Sequence, residues 1–107
     1  MRKLLLTTLT LFTLQTPVFA QVKVSNNDLY RLGVRNGILY CAALRNGVRT
    51  NREMSVMITN LRDPENMFLG NIWDRLTQAQ KKVVFAGTNS VVSYHCKREF
   101  NVFMQNN

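Results

Sequence analysis

The chain contains only two cysteines, Cys41 and Cys96, which lie 55 positions apart in 107 residues. If they pair, they tie an early segment to a late one and discard most possible topologies. Whether they pair depends on the compartment, and the N-terminus bears on that. Met1-Arg2-Lys3 makes a positively charged end, Leu4 to Leu14 an apolar run, and Val18-Phe19-Ala20 a small-residue cleavage site. This is the order of a secretory signal. The run is too short to span a bilayer, and nothing after residue 20 approaches 18 uninterrupted apolar residues. No cysteine stands next to the cleavage site to accept a lipid. The expectation is a signal peptide at 1–20 and a single helical domain at 21–107, periplasmic or secreted. In an oxidising compartment two lone cysteines most often pair. On the chain-entropy model such a bond stabilises by roughly 4 kcal/mol at most. A redox or metal thiol is the competing reading, but there is no CxxC and no Cys/His ligand set.

Removing the first 20 residues takes Arg2 and Lys3 with it and leaves 87 residues, with 12 basic side chains against 6 acidic ones. A chain of that size holds one small core and no large cofactor fold. From Ser25 to Gly47 a helical period places Leu29, Leu32, Gly33, Asn36, Tyr40, Ala43 and Leu44 on one face and Arg31, Arg35 and Arg45 opposite. Ser25, Asn26 or Asn27 can cap its start, and Asn46-Gly47 can end it. Two readings compete in the middle, because Asn36-Gly37 between apolar runs is also a hairpin signal. The helix is preferred, since Ile38 to Leu44 shows no alternation and includes two alanines.

Thr50-Asn51-Arg52-Glu53 has the spacing of a capping box and opens a helix to about Leu61, with Met54, Met57, Ile58 and Leu61 as its stripe. Asp63-Pro64-Glu65 stops it and starts another. Met67, Phe68, Ile72, Trp73 and Leu76 then suggest a short helix or turn plugging the core. Thr77 to Gln80 forms a second box, opening a helix to about Lys97. Two stripes are expected on it, Ala79, Val83, Ala86, Gly87, Ser90, Val91 and Tyr94 on one arc and Phe85, Val92 and Cys96 on another. That predicts a central position, with Lys97 and Arg98 complementing the macrodipole at its end. Phe100, Val102 and Phe103 should fold back on the core, and Gln105 to Asn107 should fray. The fold class expected is all-α, a bundle of about four helices with one disulfide.

Candidate chemistry is then a matter of elimination. His95, the single histidine, sits beside Cys96, and adjacent helical residues point about 100° apart. A Cys/His nucleophile is therefore disfavoured, and no GxSxG elbow exists. The acids Asp28, Glu53, Asp63, Glu65, Asp74 and Glu99 mostly fall at helix starts or beside arginine, where capping and pairing explain them. Met54, Met57, Met67 and His95 could be drawn as a soft copper site or as haem ligands. A methionine stripe at helical spacing is more often core, so neither a metal nor any other cofactor is expected. Charge is the strongest departure. Arg31, Arg35, Arg45, Arg49 and Arg52 concentrate in the first helix and the turn after it, and arginine forks bind carboxylate and phosphate bidentately. They are the candidate partner-binding residues, for an envelope protein or an anionic polymer or lipid. Export demotes nucleic acid. No catalytic residue is expected.

Tyr40-Cys41-Ala42-Ala43-Leu44 followed by Gly47, a Met54 to Leu61 helix, and Val83-Val84-Phe85-Ala86 running to Tyr94-His95-Cys96 resemble small exported helical domains of unknown function from mycobacteria. Those domains also carry one cysteine in the first helix and one closing the last. The pattern is similar, more distantly, to the Rap/Tai type of periplasmic immunity proteins, which are helical, disulfide-stapled and bind a secreted peptidoglycan amidase. This chain lacks the extra cysteines common in that group. Neither resemblance carries a functional residue over. The function expected is an exported non-enzymatic binding or inhibitory module that works through its arginines. The alternatives are a structural or stress-related envelope protein and a haem or copper carrier.

Overall fold

The computed structural model describes residues 22–107, so the expected signal peptide lies outside the described residues. Among the described residues five helices follow one another: α1 Asn26–Arg45, α2 Asn51–Leu61, α3 Pro64–Ile72, α4 Gln78–His95 and α5 Lys97–Gln105, with a 3₁₀ turn Trp73–Arg75 before α4. Each start signal in the sequence acts locally. The Ser25 hydroxyl accepts from the Asp28 N–H, and Thr50/Glu53 and Thr77/Gln80 both close reciprocal capping boxes. Pro64 occupies the first turn of α3, behind an Asp63 cap. Gly47 takes φ +89°, the left-handed conformation that ends α1 at low steric cost.

Asn36-Gly37 does not turn a hairpin, for α1 runs through it unbroken. The glycine is needed for close packing. Gly33 and Gly37 of α1 face α4, and Gly87 of α4 faces α1. A Cβ on Gly33 would overlap the Val84 carbonyl, and one on Gly87 the Tyr30 carbonyl. At Gly37 it would stand 2.9 Å from both the Thr88 oxygen and the Val91 Cβ. Contacts at 33 with 84, 37 with 88 and 91, and 41 with 96 rise together in number, so α1 and α4 run parallel. Parallel neighbours need a long crossover, and α2, α3 and the 3₁₀ turn supply it. Two further bonds cross the seam: the Thr88 hydroxyl donates to the Gly33 carbonyl at 2.9 Å, and the Asn36 amide donates to Thr88 Oγ1 at 3.3 Å.

The disulfide Cys41–Cys96 is present, with Cα atoms 5.6 Å apart and both residues buried. Around it gather Ala43, Leu44, Met54, Val91, Val92 and Phe103, with Tyr40 against Phe100 and Phe103. Burial raises the Tyr40 hydroxyl above the usual phenol range. A second cluster, Leu29, Leu32, Leu69, Ile72, Leu76 and Val84, fills the opposite end.

The centre belongs to α1, which packs on all four other helices, and not to α4. One stripe on α4 is buried (Gln80, Val84, Gly87, Val91, with Val92 beside it), while Ala79, Ala86, Ser90 and Tyr94 face outward. Helical angle alone puts these small or aromatic residues inside, whereas the close seam takes Gly87 with Val84 three residues before it and Val91 four after it. Gln80 is buried because its carboxamide closes the capping box and donates to the Val22 carbonyl. In the crossover Leu69, Ile72 and Leu76 are the plug, and Met67 and Phe68 lie outside. The last long helix stops at His95, so Lys97 and Arg98 open α5 and do not complement a helix end. Asn107 is held in place. Its amide donates to the Arg49 and Phe103 carbonyls, and its oxygen accepts from the Asn51 N–H at the start of α2.

Candidate functional site

The five arginines of the first helix and its turn are separated by the fold into two kinds. Arg31 and Arg35 are engaged with carboxylates of their own chain. Arg31 meets Asp28 one turn away at 3.4 Å, both well exposed. Arg35 reaches α3, where its Nε donates to Asp63 Oδ1 at 2.9 Å, while Asp63 Oδ2 caps the Asn66 N–H at 3.0 Å. One buried carboxylate thus serves a cap and a cross-helix clamp. The Arg35 guanidinium holds it below the usual carboxylate range, and Asp63 in turn raises Arg35.

The other three gather where α1 ends and α2 begins. Arg45 donates to the His95 carbonyl and stands 4.0 Å from Glu99. Arg49 and Arg52 are exposed and have no carboxylate in ion-pair range among the described residues. Glu53, their nearest acid in sequence, is taken up by the backbone N–H groups of Arg49 and Thr50, which hold its carboxyl below the ordinary range. A sixth cation joins them. The disulfide draws the start of α5 onto the end of α1, and Arg98 comes to line the same groove as Arg49. Sequence reasoning treated Arg98 only as a helix-end charge. The Cys41–Cys96 spacing held the signal, since a bond there brings residues 97–99 beside Arg45.

Two grooves flank the Gly47-Val48 ridge at this pole. The larger, about 600 Å³, is lined by α2 residues including Arg52, Val56, Met57 and Leu61. The smaller, about 220 Å³, runs between Arg49, Arg98, Val102 and Phe103. Val56 and Leu61 in the larger groove and Val102 in the smaller are about half exposed, so apolar walls stand beside Arg52, Arg49 and Arg98, with Glu53 and Glu99 also on the linings.

The remaining candidates are dispersed. Met54 is in the core and Met67 on the surface, and His95 is exposed at the end of α4 with the Tyr94 ring at 4.8 Å. Among the described residues no three His, Cys, Asp or Glu side chains group as metal ligands, and no helix is long and apolar enough to cross a membrane. Compared with family models, with curated proteins and with solved structures, the chain matches none.

Proposed function

We propose that the protein is an exported, non-enzymatic binding or inhibitory module whose partner is a protein presenting an acidic amphipathic segment to the α1–α2 pole. The observation that supports this is the combination of unpaired Arg49 and Arg52, with Arg98, on the linings of concave, largely apolar grooves, while Arg45 reaches Glu99 at the edge of the smaller one. Apolar knobs on a partner segment would fill the grooves, and carboxylates beside them would meet the guanidinium forks. Concavity favours such a segment over a bilayer, because a flat lipid surface touches the rim and leaves the grooves empty. The buried disulfide and the absence, among the described residues, of a membrane-crossing helix are compatible with export.

The test is a titration with a synthetic helical peptide carrying leucine at i and i+4 and glutamate between them, read by fluorescence anisotropy. Arg49→Glu with Arg52→Glu should weaken binding by at least about tenfold, and added salt should weaken it further. Arg31→Glu should leave it unchanged, since Arg31 lies about 21 Å of helix rise from Arg45, where α1 ends before the pole. Equal losses in both variants would make the effect one of overall charge and overturn the reading. So would binding to vesicles of anionic lipid with none to the peptide.

A further inference from the structure

Four of the five glycines are explained by backbone geometry: Gly33, Gly37 and Gly87 by the helix seam and Gly47 by its positive φ. Gly70 is not. It lies inside α3, where glycine is a poor helix former compared with alanine, and a Cβ built there would meet no atom within 4 Å. Neither packing nor conformation requires it. What Gly70 does is leave open the wall of a cleft of about 290 Å³ between α3, α1 and α4.

The lining of that cleft differs from the grooves at the basic pole. It has no charged side chain, although the protein is strongly basic. Leu69 and Val84 are its buried apolar residues. Phe85 is about half exposed there, fixed by an edge contact with Trp73 at 5.5 Å, and Lys81 sits 5.3 Å from the Trp73 ring. Two carboxamides, Asn36 and Asn66, complete the wall. Asn36 uses its amide nitrogen on Thr88 and keeps its oxygen as an acceptor. The Asn66 side chain makes no hydrogen bond among the described residues, so it has both a donor and an acceptor to offer.

We infer that this cleft is a binding site for a neutral N-acetylated hexosamine. The acetamido group suits the two carboxamides, its N–H to the Asn36 oxygen and its carbonyl to the Asn66 amide. Its methyl suits the Leu69 and Val84 floor, and the C–H face of the ring suits Phe85. The lining offers no counter-charge to an ionised ligand, which suits a neutral one. The volume is that of one ring and its substituent, at the low end of ligand pockets. None of these residues lines the grooves of the basic pole, so the two sites stand or fall separately.

Amide NMR titration with N,N′-diacetylchitobiose tests the site, with cellobiose as the same linkage lacking the acetamido groups. The expected result is perturbation confined to Asn36, Asn66, Gly70, Trp73, Phe85 and Thr88, with a Kd of about 1 mM and at least tenfold weaker binding of cellobiose. Gly70→Leu should abolish the response, Asn66→Ala should weaken it several-fold, and Gly70→Ala should raise the melting temperature while weakening binding. Asn66→Ala decides the matter if Gly70→Leu fails to fold, because the Asn66 side chain holds nothing else. No perturbation at about 10 mM sugar, an equal response to cellobiose, or binding indifferent to both Asn66→Ala and Gly70→Leu would overturn the assignment.

Discussion

The α1–α4 seam and the α2 layer are built by opposite means from the same short chain. Along the seam, glycines let two parallel backbones approach until carbonyls meet Cα positions, hydroxyl and amide bonds cross between them, and a disulfide locks one end. On the other side α2 buries one side chain, Met54, packs half-buried Met57 and Ile58 against the core, and leaves Val56 and Leu61 half exposed. The seam has no room to adjust; α2 rests on fewer buried side chains. Partner-binding surfaces commonly sit on such lightly anchored elements against a rigid frame. Here the unpaired arginines and the two apolar grooves of the pole fall on the α2 side or next to it.

Gly87→Leu should break the comparison outright. Its side chain has only the Tyr30 carbonyl and the Val34 N–H to enter, neither of which can yield without parting the helices. A loss of more than about 4 kcal/mol is expected, enough to unfold a domain of this size. Circular dichroism with urea titration measures it, and a folded variant with unchanged midpoint would show that the seam is loose. Replacing both cysteines by serine should cost less, roughly 2–4 kcal/mol from the freed loop entropy, and should leave the helices formed. The seam hydrogen bonds and the second core cluster do not depend on the bond. If the double variant is a random coil, the frame was the disulfide and not the seam.

A third change reads how the crossover is fastened. Asp63→Asn keeps a competent cap for α3 but removes the charge facing Arg35. Because Asp63 titrates below the normal carboxylate range in the folded state, its contribution is fully present above the unfolded value of about 4 and is lost as pH falls through the lower folded value. Wild type should therefore melt roughly 2–5 °C above the variant near neutrality, with the gap closing in acid. A gap that widens in acid would mean that the protonated carboxyl is the preferred partner. Arg35 is half exposed, which keeps the effect small.

Much of this frame is legible in the sequence. The helix starts read at Thr50, Asp63-Pro64 and Thr77 cap as expected, and Ser25 is the one of three candidates that caps α1, because capping is a local contest among backbone N–H groups and the nearest oxygens. The cysteine pairing was legible from composition. The seam was hidden, since Asn36-Gly37 carries one chemical signal for a turn and another for helix contact, and only the position of α4 decides between them. The same blindness assigned α4 two buried stripes and the centre of the bundle. Of the candidate site, the arginine excess was visible, but not its division, because Arg35 finds its carboxylate 28 residues away. Arg98 and the Gly70 cleft depend on helices brought together by the fold, which no periodicity within one segment reveals.

The smallest expected effect lies where the two regions join through backbone strain. Arg62, between α2 and α3, has φ +52° and ψ +39°, the left-handed conformation, with a full side chain. A non-glycine residue there is disfavoured by roughly 1 kcal/mol because its Cβ crowds the neighbouring carbonyl. Glycine relieves that crowding and also enlarges the freedom of the unfolded chain, which offsets part of the gain. Arg62→Gly should therefore stabilise by no more than about 0.5–1 kcal/mol. Urea denaturation can resolve the upper part of that range, and hydrogen exchange can locate it at the α2 C-terminus. Should the substitution instead destabilise, the Arg62 side chain would be holding α2 in place through contacts outweighing its strain. The α2 layer would then be more firmly anchored than its single buried methionine implies.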